Sequence, residues 1–250
     1  MATARAAFEM AGTSLLVVGG GSGIGLAAAR IAAAAGAAVV VADLDPNAAE
    51  DVAAAGARLL VADAADPAAM GDVVDSCLDQ GPRLDAVFTT VGGAHLAPLG
   101  ELEPAAWDAE VSFNLRSAYA VARAVQPVFE RQRAGAIVTT SSGYAVMPGA
   151  DRPGYVAAKA GVIAFTRSLA ATLAPSGARA NCLAPGPTDT ARFRAMNGGD
   201  EGVEAVRRSM PLGEIPLPED CANVALFLLS DAARQVTGQV VHVNGGLLMP

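Results

Sequence analysis

Short runs of β-branched residues and leucine alternate with alanine-rich stretches along the chain. The strand-like runs fall at 14–18, 38–42, 58–62, 86–90, 136–140, 178–183 and 240–243. Between them the apolar spacing predicts helices over 24–35, 47–55, 67–79, 104–131, 154–174 and 218–229. Continuously apolar strands separated by helices belong to a parallel sheet covered on both faces. Right-handed crossovers then wind such a sheet into a doubly wound α/β fold of the Rossmann type, here with seven strands. No Pro/Gly/Ser linker and no repeat divides the chain, so residues 1–250 read as one domain. Residues 187–217 break the alternation: they show no strand pattern, and Asn197-Gly198-Gly199-Asp200 reads as a tip. The expectation is a long irregular segment, either a lid over a site or an ordinary surface excursion.

Composition narrows the class. Hydrophobic residues are 52% and charged residues 17%, which allows a large core and argues against disorder. Aromatics are only 4%, so packing must rely on close approach of small side chains. A net charge of −8 disfavours nucleic acid and anionic membranes as partners. Cys77, Cys182 and Cys221 are odd in number and widely spaced, which suits a reducing compartment and offers no metal site. The first residues carry Arg5 and Glu9 and lack the apolar core of a signal peptide. The longest apolar stretch, 26–42, is interrupted by Arg30 and Gly36 and makes a poor membrane span. A cytoplasmic protein is expected.

The chemistry starts at the first strand, which runs into Gly19-Gly20-Gly21-Ser22-Gly23-Ile24-Gly25 and then a helix. Glycines let backbone approach a diphosphate, and the helix N-terminus offers unpaired N–H groups and a positive dipole end. The second strand runs into Asp43, about 20 residues further on, where a carboxylate can accept from a ribose 2′-hydroxyl and repel a 2′-phosphate. No Arg or Lys occupies the loop or the two positions after Asp43. NAD is therefore favoured over NADP; the plainer role for Asp43 is to cap the turn with Asp45 and Pro46. Asp63, after the third strand, is equally a turn residue or an adenine contact.

Of the 17 basic residues 16 are Arg and one is Lys159. Lys159 follows Tyr155 by four, so in a helix the two side chains share a face. A phenol is a poor base at its free pKa of about 10, and an adjacent ammonium favours the phenolate. The compact lysine head can also bind a ribose diol, where a guanidinium fork would need more room. Ser142 ends a strand at the sheet edge where ligands bind. Asn114 lies inside the 104–131 helix, where an Asn competes with the backbone and needs a reason.

With these residues in this order the chain resembles the short-chain dehydrogenase/reductase family over nearly its whole length. The resemblance rests on the Gly19–Gly25 loop, Asp43, Asp63, Asn114, Ser142, Tyr155, Lys159, and the stretch from Asn181 through Pro185 and Gly186 to Thr190. It includes Val236-Thr237-Gly238-Gln239 and Gly245-Gly246 near the end. It implies that Tyr155 is the general acid/base, that Lys159 binds the nicotinamide ribose and depresses the phenol, and that Ser142 holds the substrate oxygen. Asn114 would hold a water in a proton relay. Gly19, Gly21, Ser22, Gly23, Ile24, Gly25, Asp43, Leu44, Asp63, Ala64, Val91 and Gly92 would contact the dinucleotide. So would Tyr155, Lys159, Pro185, Gly186, Thr188 and Thr190.

Three positions depart from the family pattern. Val18 stands where a Thr braces the glycine loop, Thr89-Thr90-Val91-Gly92 stands for Asn-Asn-Ala-Gly, and Asn244 replaces an Asp. A substrate pocket would take Ser142, Tyr144, His95 and Met147, with Leu96, Val146, Asp151, Phe193 and Met196 around them. That mix suits an apolar secondary alcohol or ketone. Arg152, Arg192 and Arg194 form no obvious cluster in sequence, so a polyanionic substrate is not expected. The expected activity is an NAD-dependent dehydrogenase oxidising a secondary alcohol. The alternatives are a 3-oxoacyl thioester reductase using NADPH and a dinucleotide-binding sensor or scaffold without chemistry. The resemblance further implies a homotetramer or homodimer, with the apolar ending Leu247-Leu248-Met249-Pro250 buried between subunits.

Overall fold

The computed structural model describes residues 10–250; Arg5 and Glu9 lie outside the described residues. In chain order the main elements begin with β1 (Ser14–Val18), α1 (Gly23–Ala34), β2 (Ala38–Asp43) and α2 (Ala49–Ala54). They continue with β3 (Arg58–Val61), α3 (Pro67–Leu78), β4 (Ala86–Thr89), α4 (Pro104–Val111) and α5 (Ser117–Gln132). Then come β5 (Ala136–Thr140), α6 (Pro153–Leu173), β6 (Arg179–Pro185), α7 (Ala191–Met196) and α8 (Asp200–Ser209). The last are α9 (Pro218–Leu229) and β7 (Val240–Val243). All seven strands lie in one sheet of order β3-β2-β1-β4-β5-β6-β7. Every neighbouring pair is parallel. The order reverses between β1 and β4, which opens a crevice at their carboxyl ends.

The alternation within β1 explains the two-sided core. Leu16 and Val18 face the layer of α3, α5 and α6, with Val73, Val121, Phe129 and Leu173. Leu15 and Val17 face α1 and α9, with Ala28, Ala32, Ala225 and Leu226. The second layer is largely alanine, so its helices pack closely; each buried side chain there contributes little alone, on the order of 0.8 kcal/mol per methyl-sized group.

Two helical expectations differ. The stretch read as one helix over 104–131 is broken by a five-residue π-helical turn, Ser112–Arg116, which joins α4 to α5. Asn114 sits in that turn, and π-turns inside helices are frequent at functional sites. The segment 187–217 is not irregular: it folds into α7 and α8. Asp200 and Glu201 in the first turn of α8, and Arg207 and Arg208 in its last, match the helix dipole at both ends.

Among the described residues one helix, Pro153–Ser176, is long and apolar enough to cross a membrane by length and composition. Its apolar face is the one that covers the sheet, through Val162, Leu169 and Leu173.

Candidate active site

The crevice begins at the glycine loop. Ser22 opens α1 in extended conformation and makes no side-chain cap, so the first N–H groups of the helix face the crevice without an intrahelical partner. A Cβ on Gly25 would overlap the Gly19 carbonyl, so the helix seats against its own turn only with glycine there. These open amides and this close approach fit a dinucleotide diphosphate.

Asp43, at the end of β2, accepts from the Gly21 amide at 2.7 Å through Oδ2 and from the Asp45 amide at 3.1 Å through Oδ1. It therefore caps its own turn and also holds a carboxylate against the glycine loop. Leu44 beside it is exposed, and Ala64 is buried. Asp63 is exposed and accepts from the Ala65 amide at 2.8 Å, so the structure engages it in a local turn.

The hydroxyl missing at Val18 is supplied from the neighbouring strand. Thr90 Oγ1 lies 2.7 Å from the Gly19 carbonyl and 3.2 Å from the Val18 carbonyl, and donates its proton into that pair. Thr140 in turn donates to the Thr89 carbonyl at 2.7 Å. The two departures at Val18 and Thr89-Thr90 thus compensate one another.

Asn114 is 1% exposed, and its reason for sitting within a helical stretch is now visible. Its Oδ1 accepts from the Gly93 amide and its Nδ2 donates to the Gly93 carbonyl, each at 2.9 Å. That two-point pairing pins the loop after β4. Gly92 is equally confined: a Cβ there would overlap Lys159 Nζ and lie 2.6 Å from Asn114 Oδ1.

Tyr155 and Lys159 share a face of α6, opposite Ser142 at the end of β5. Lys159 is 2% exposed and donates to the Thr140 carbonyl at 2.8 Å and the Val91 carbonyl at 3.1 Å. Burial pushes the ammonium down to about 8, with Cys182 opposing that shift and Arg192 adding to it. Burial pushes the Tyr155 phenol up, and a hydrogen bond with Ser142, then the charges of Arg192 and Arg152, pull it back. Lys159 Nζ stands 5.9 Å from the centre of the Tyr155 ring. Two arginines, Arg192 and Arg152, thus join Lys159 among the cations around the phenol. Ser142 Oγ also accepts from the Tyr144 amide at 3.2 Å, which leaves its proton to point toward the phenol.

A cavity of about 500 Å³ lies over these groups. Ile24 and Thr190 close one end, Pro185, Gly186 and Thr188 line the side along β6, and Ser142, Tyr155 and Lys159 form the floor. Of the expected pocket residues, Leu96, Tyr144, Met147, Phe193 and Met196 face it. His95, Val146 and Asp151 do not line it. His95 is exposed, its amide turned to Glu110 Oε1 at 2.7 Å. Asp151 is instead paired with Arg152.

The chain end also reaches the site. Leu247 and Leu248 line the cavity, because Asn244 folds the tail back. Asn244 Nδ2 donates to the Leu248 carbonyl at 2.8 Å, and the Leu247 amide donates to the Asn244 carbonyl at 3.0 Å. An Asp at 244 would have no N–H to donate.

Known proteins match this architecture along its length. The family model described as enoyl-(acyl carrier protein) reductase matches residues 18–248. The chain belongs to the short-chain dehydrogenase/reductase family. Its members at hand include the 3-oxoacyl-[acyl-carrier-protein] reductase FabG of Escherichia coli (strain K12), 32% identical over 95% of this chain and 98% of that protein. The (2S)-[(R)-hydroxy(phenyl)methyl]succinyl-CoA dehydrogenase subunit BbsD of Thauera aromatica is 35% identical over 92% and 94% of the two chains. A short-chain type dehydrogenase/reductase from Mycobacterium ulcerans superposes with a TM-score of 0.90 at 30% identity, covering 95% of this chain and 90% of that one. The chain is thus an oxidoreductase of this family, with the family's sheet and helices.

Several site residues escaped sequence reasoning. The brace at Thr90 has a sequence signal, a hydroxyl at a strand end facing a glycine turn. Arg152 and Arg192 looked unrelated because 40 positions separate them, yet both line the cavity. Asn197, Val206 and Ser209 reach it only because 187–217 is helical.

Proposed function

We propose that the protein is an NAD-dependent dehydrogenase that interconverts a secondary alcohol and its ketone. The observation that carries cofactor choice is the Asp43 carboxylate held 2.7 Å from the Gly21 amide, where a 2′-phosphate would meet like charge. The dinucleotide would lie along Gly19, Gly21, Ser22, Gly23, Ile24 and Gly25, then past Val91, Gly92, Pro185, Gly186, Thr188 and Thr190. When bound it supplies the hydride acceptor or donor.

The chain supplies the rest. Ser142 Oγ holds the substrate oxygen, and Tyr155 Oη takes the hydroxyl proton in oxidation or returns it in reduction. A positioned acid/base of this kind contributes on the order of 10²–10⁴-fold. Lys159 donates toward the ribose, and Asn114 fixes the Gly93 backbone beneath it. Because the phenol is pushed up, its protonated form is available to reduce a ketone near neutrality, and oxidation gains as pH rises. Replacing Tyr155→Phe should lower turnover by at least 10²-fold while NAD still binds. Full activity in that variant would end this reading.

A second reading, a 3-oxoacyl thioester reductase using NADPH, is favoured by the names of the FabG relatives. Initial rates with NADH against NADPH, on a free ketone and on a 3-oxoacyl thioester, separate the two. With the first reading go three further assignments. Residues 1–250 act as one catalytic domain, in which 187–217 serve as the lid. The chains assemble as a homotetramer or homodimer, for which the exposed Trp107 of α4, Phe113 of the π-turn and Tyr119 of α5 provide apolar surface. The reaction runs in the cytoplasm, which suits three free, buried cysteines.

A further inference from the structure

The chain carries 25 acidic and 17 basic residues, yet among the described residues the charged side chains lining its cavity are Arg152, Lys159 and Arg192, with no Asp or Glu. A low-dielectric cleft lined by one sign of charge focuses potential and concentrates ligands of the opposite sign. The three cations differ in what already occupies them. Lys159 gives hydrogen bonds to two carbonyls in the floor. Arg152 is held by Asp151 in a two-nitrogen pairing at 2.8 and 2.9 Å, with its guanidinium 4.2 Å from the centre of the Tyr144 ring. Arg194, on the same helix as Arg192 and outside the cavity, is paired with Asp189 and Asp200.

Arg192 has no ion pair among the described residues. Its Nη1 donates to the Gly92 carbonyl at 3.2 Å, and its Nη2 reaches the Ala94 carbonyl at 3.5 Å, the outer limit of a hydrogen bond. The guanidinium is laid flat across Gly93, where any Cβ would overlap it. It therefore stands at the exposed rim of the cavity beside Gly93, with N–H groups to spare.

We propose that the cavity selects substrates carrying a carboxylate, which Arg192 binds while the reacting carbon lies at Ser142 and Tyr155. The substrate class is then a hydroxy acid and its oxo acid, with the apolar body against Tyr144, Met147, Phe193 and Met196. A guanidinium matches a carboxylate through two parallel N–H···O bonds, which a neutral ester cannot reproduce. Arg192 lines the same cavity as Ser142 and Tyr155, and its charge also draws the raised Tyr155 phenol back down. This inference rests on the dehydrogenase reading and names the substrate of the same site.

The test separates recognition from turnover. The full chain saturated with NADH is titrated calorimetrically with six-carbon 2-, 3- and 4-hydroxy acids and with their methyl esters, so that no reaction proceeds. At least one acid should bind on the order of 10- to 100-fold more tightly than its ester, the range of a charge-assisted hydrogen-bond pair. Arg192→Gln should erase that preference, and Arg192→Lys should restore part of it. Binding of neither form, or of acid and ester equally, overturns the proposal. So does an acid preference that survives Arg192→Gln while NADH affinity falls, which would assign the cation to the cofactor diphosphate. The same titration in Tyr155→Phe, beside its turnover, keeps the two readings distinct: acid preference without turnover supports both, and turnover without acid preference removes both.

Discussion

Burying the ammonium of Lys159 should leave a measurable signature in the stability of the fold. The folded protein holds this group at about 8 against an ordinary lysine value of 10.5, with burial the leading cause. At about 1.4 kcal/mol per pH unit, that interval corresponds to about 3 kcal/mol. Below pH 8 the lysine is protonated in both states and the full penalty is present. Between about 8 and 10.5 the unfolded chain keeps a proton that the folded chain has released, so stability rises with pH. Above 10.5 the penalty is gone. The raw curve is composite, because burial pushes Cys77 and Cys221 up to about 11, and raised thiols lose stability as pH climbs through the same range. Lys159→Met provides the reference. It strands the Thr140 and Val91 carbonyls, costing about 1–3 kcal/mol each, but that offset does not vary with pH. Urea unfolding of both proteins at pH 7, 8, 9, 10 and 10.5 gives the difference directly. Wild type should gain about 3 kcal/mol on the variant across that range, with a slope no steeper than about 1.4 kcal/mol per pH unit. Parallel curves would refute the picture of a desolvated ammonium.

Other consequences follow from particular contacts. Asp43→Ser should lower the ratio of kcat/KM for NAD over NADP by about tenfold or more, since it removes the like-charge repulsion of a 2′-phosphate; an unchanged ratio would place the cofactor ribose elsewhere. Thr90→Val removes the donor on the Gly19 carbonyl and should destabilise the fold by about 1–2 kcal/mol and raise KM for NAD, read by thermal melts and initial rates. Asn244→Asp sets a carboxylate against the Leu248 carbonyl, and should raise KM severalfold for substrates with long apolar bodies, with little change for the smallest. The raised phenol of Tyr155 predicts that kcat for oxidation climbs with pH up to and past 10, while kcat for reduction stays level to about pH 10 and declines only beyond it; a fall in reduction already near pH 8, or a flat oxidation profile, would mean that another group moves the proton.

Much of this was legible in the sequence because it follows from local periodicity. The seven strands are continuous apolar runs, and each was located to within two residues by that property alone. Ser142, Tyr155 and Lys159 could be placed together because strand ends and helical spacing fix where such side chains point. The misses share a different cause. Asn114, in the π-turn, finds its side-chain partner in the backbone of Gly93, 21 positions away. The helices within 187–217 were hidden by their glycines and charges, although the sign order along α8 was the available clue. His95 follows β4 as a pocket residue would, but it is exposed and does not line the cavity, and its amide donates to Glu110. The convergence of Arg152 and Arg192 is a purely tertiary fact. No spacing rule connects a residue just before α6 to one in α7, beyond β6.

The confinement of Lys159 also has a chemical use. It carries the chain's single side-chain amine, and it is 2% exposed. Acylating reagents that ordinarily decorate a protein at many lysines can find this one only when the floor beneath the Gly92 loop opens. Apart from the α-amino group, each acyl adduct therefore records an excursion of that floor. Mass spectrometry of whole chains after timed exposure becomes a clock for the opening, and adding NAD should slow it. A protein that uses arginine almost everywhere has, in effect, arrived with a one-site footprinting label already installed.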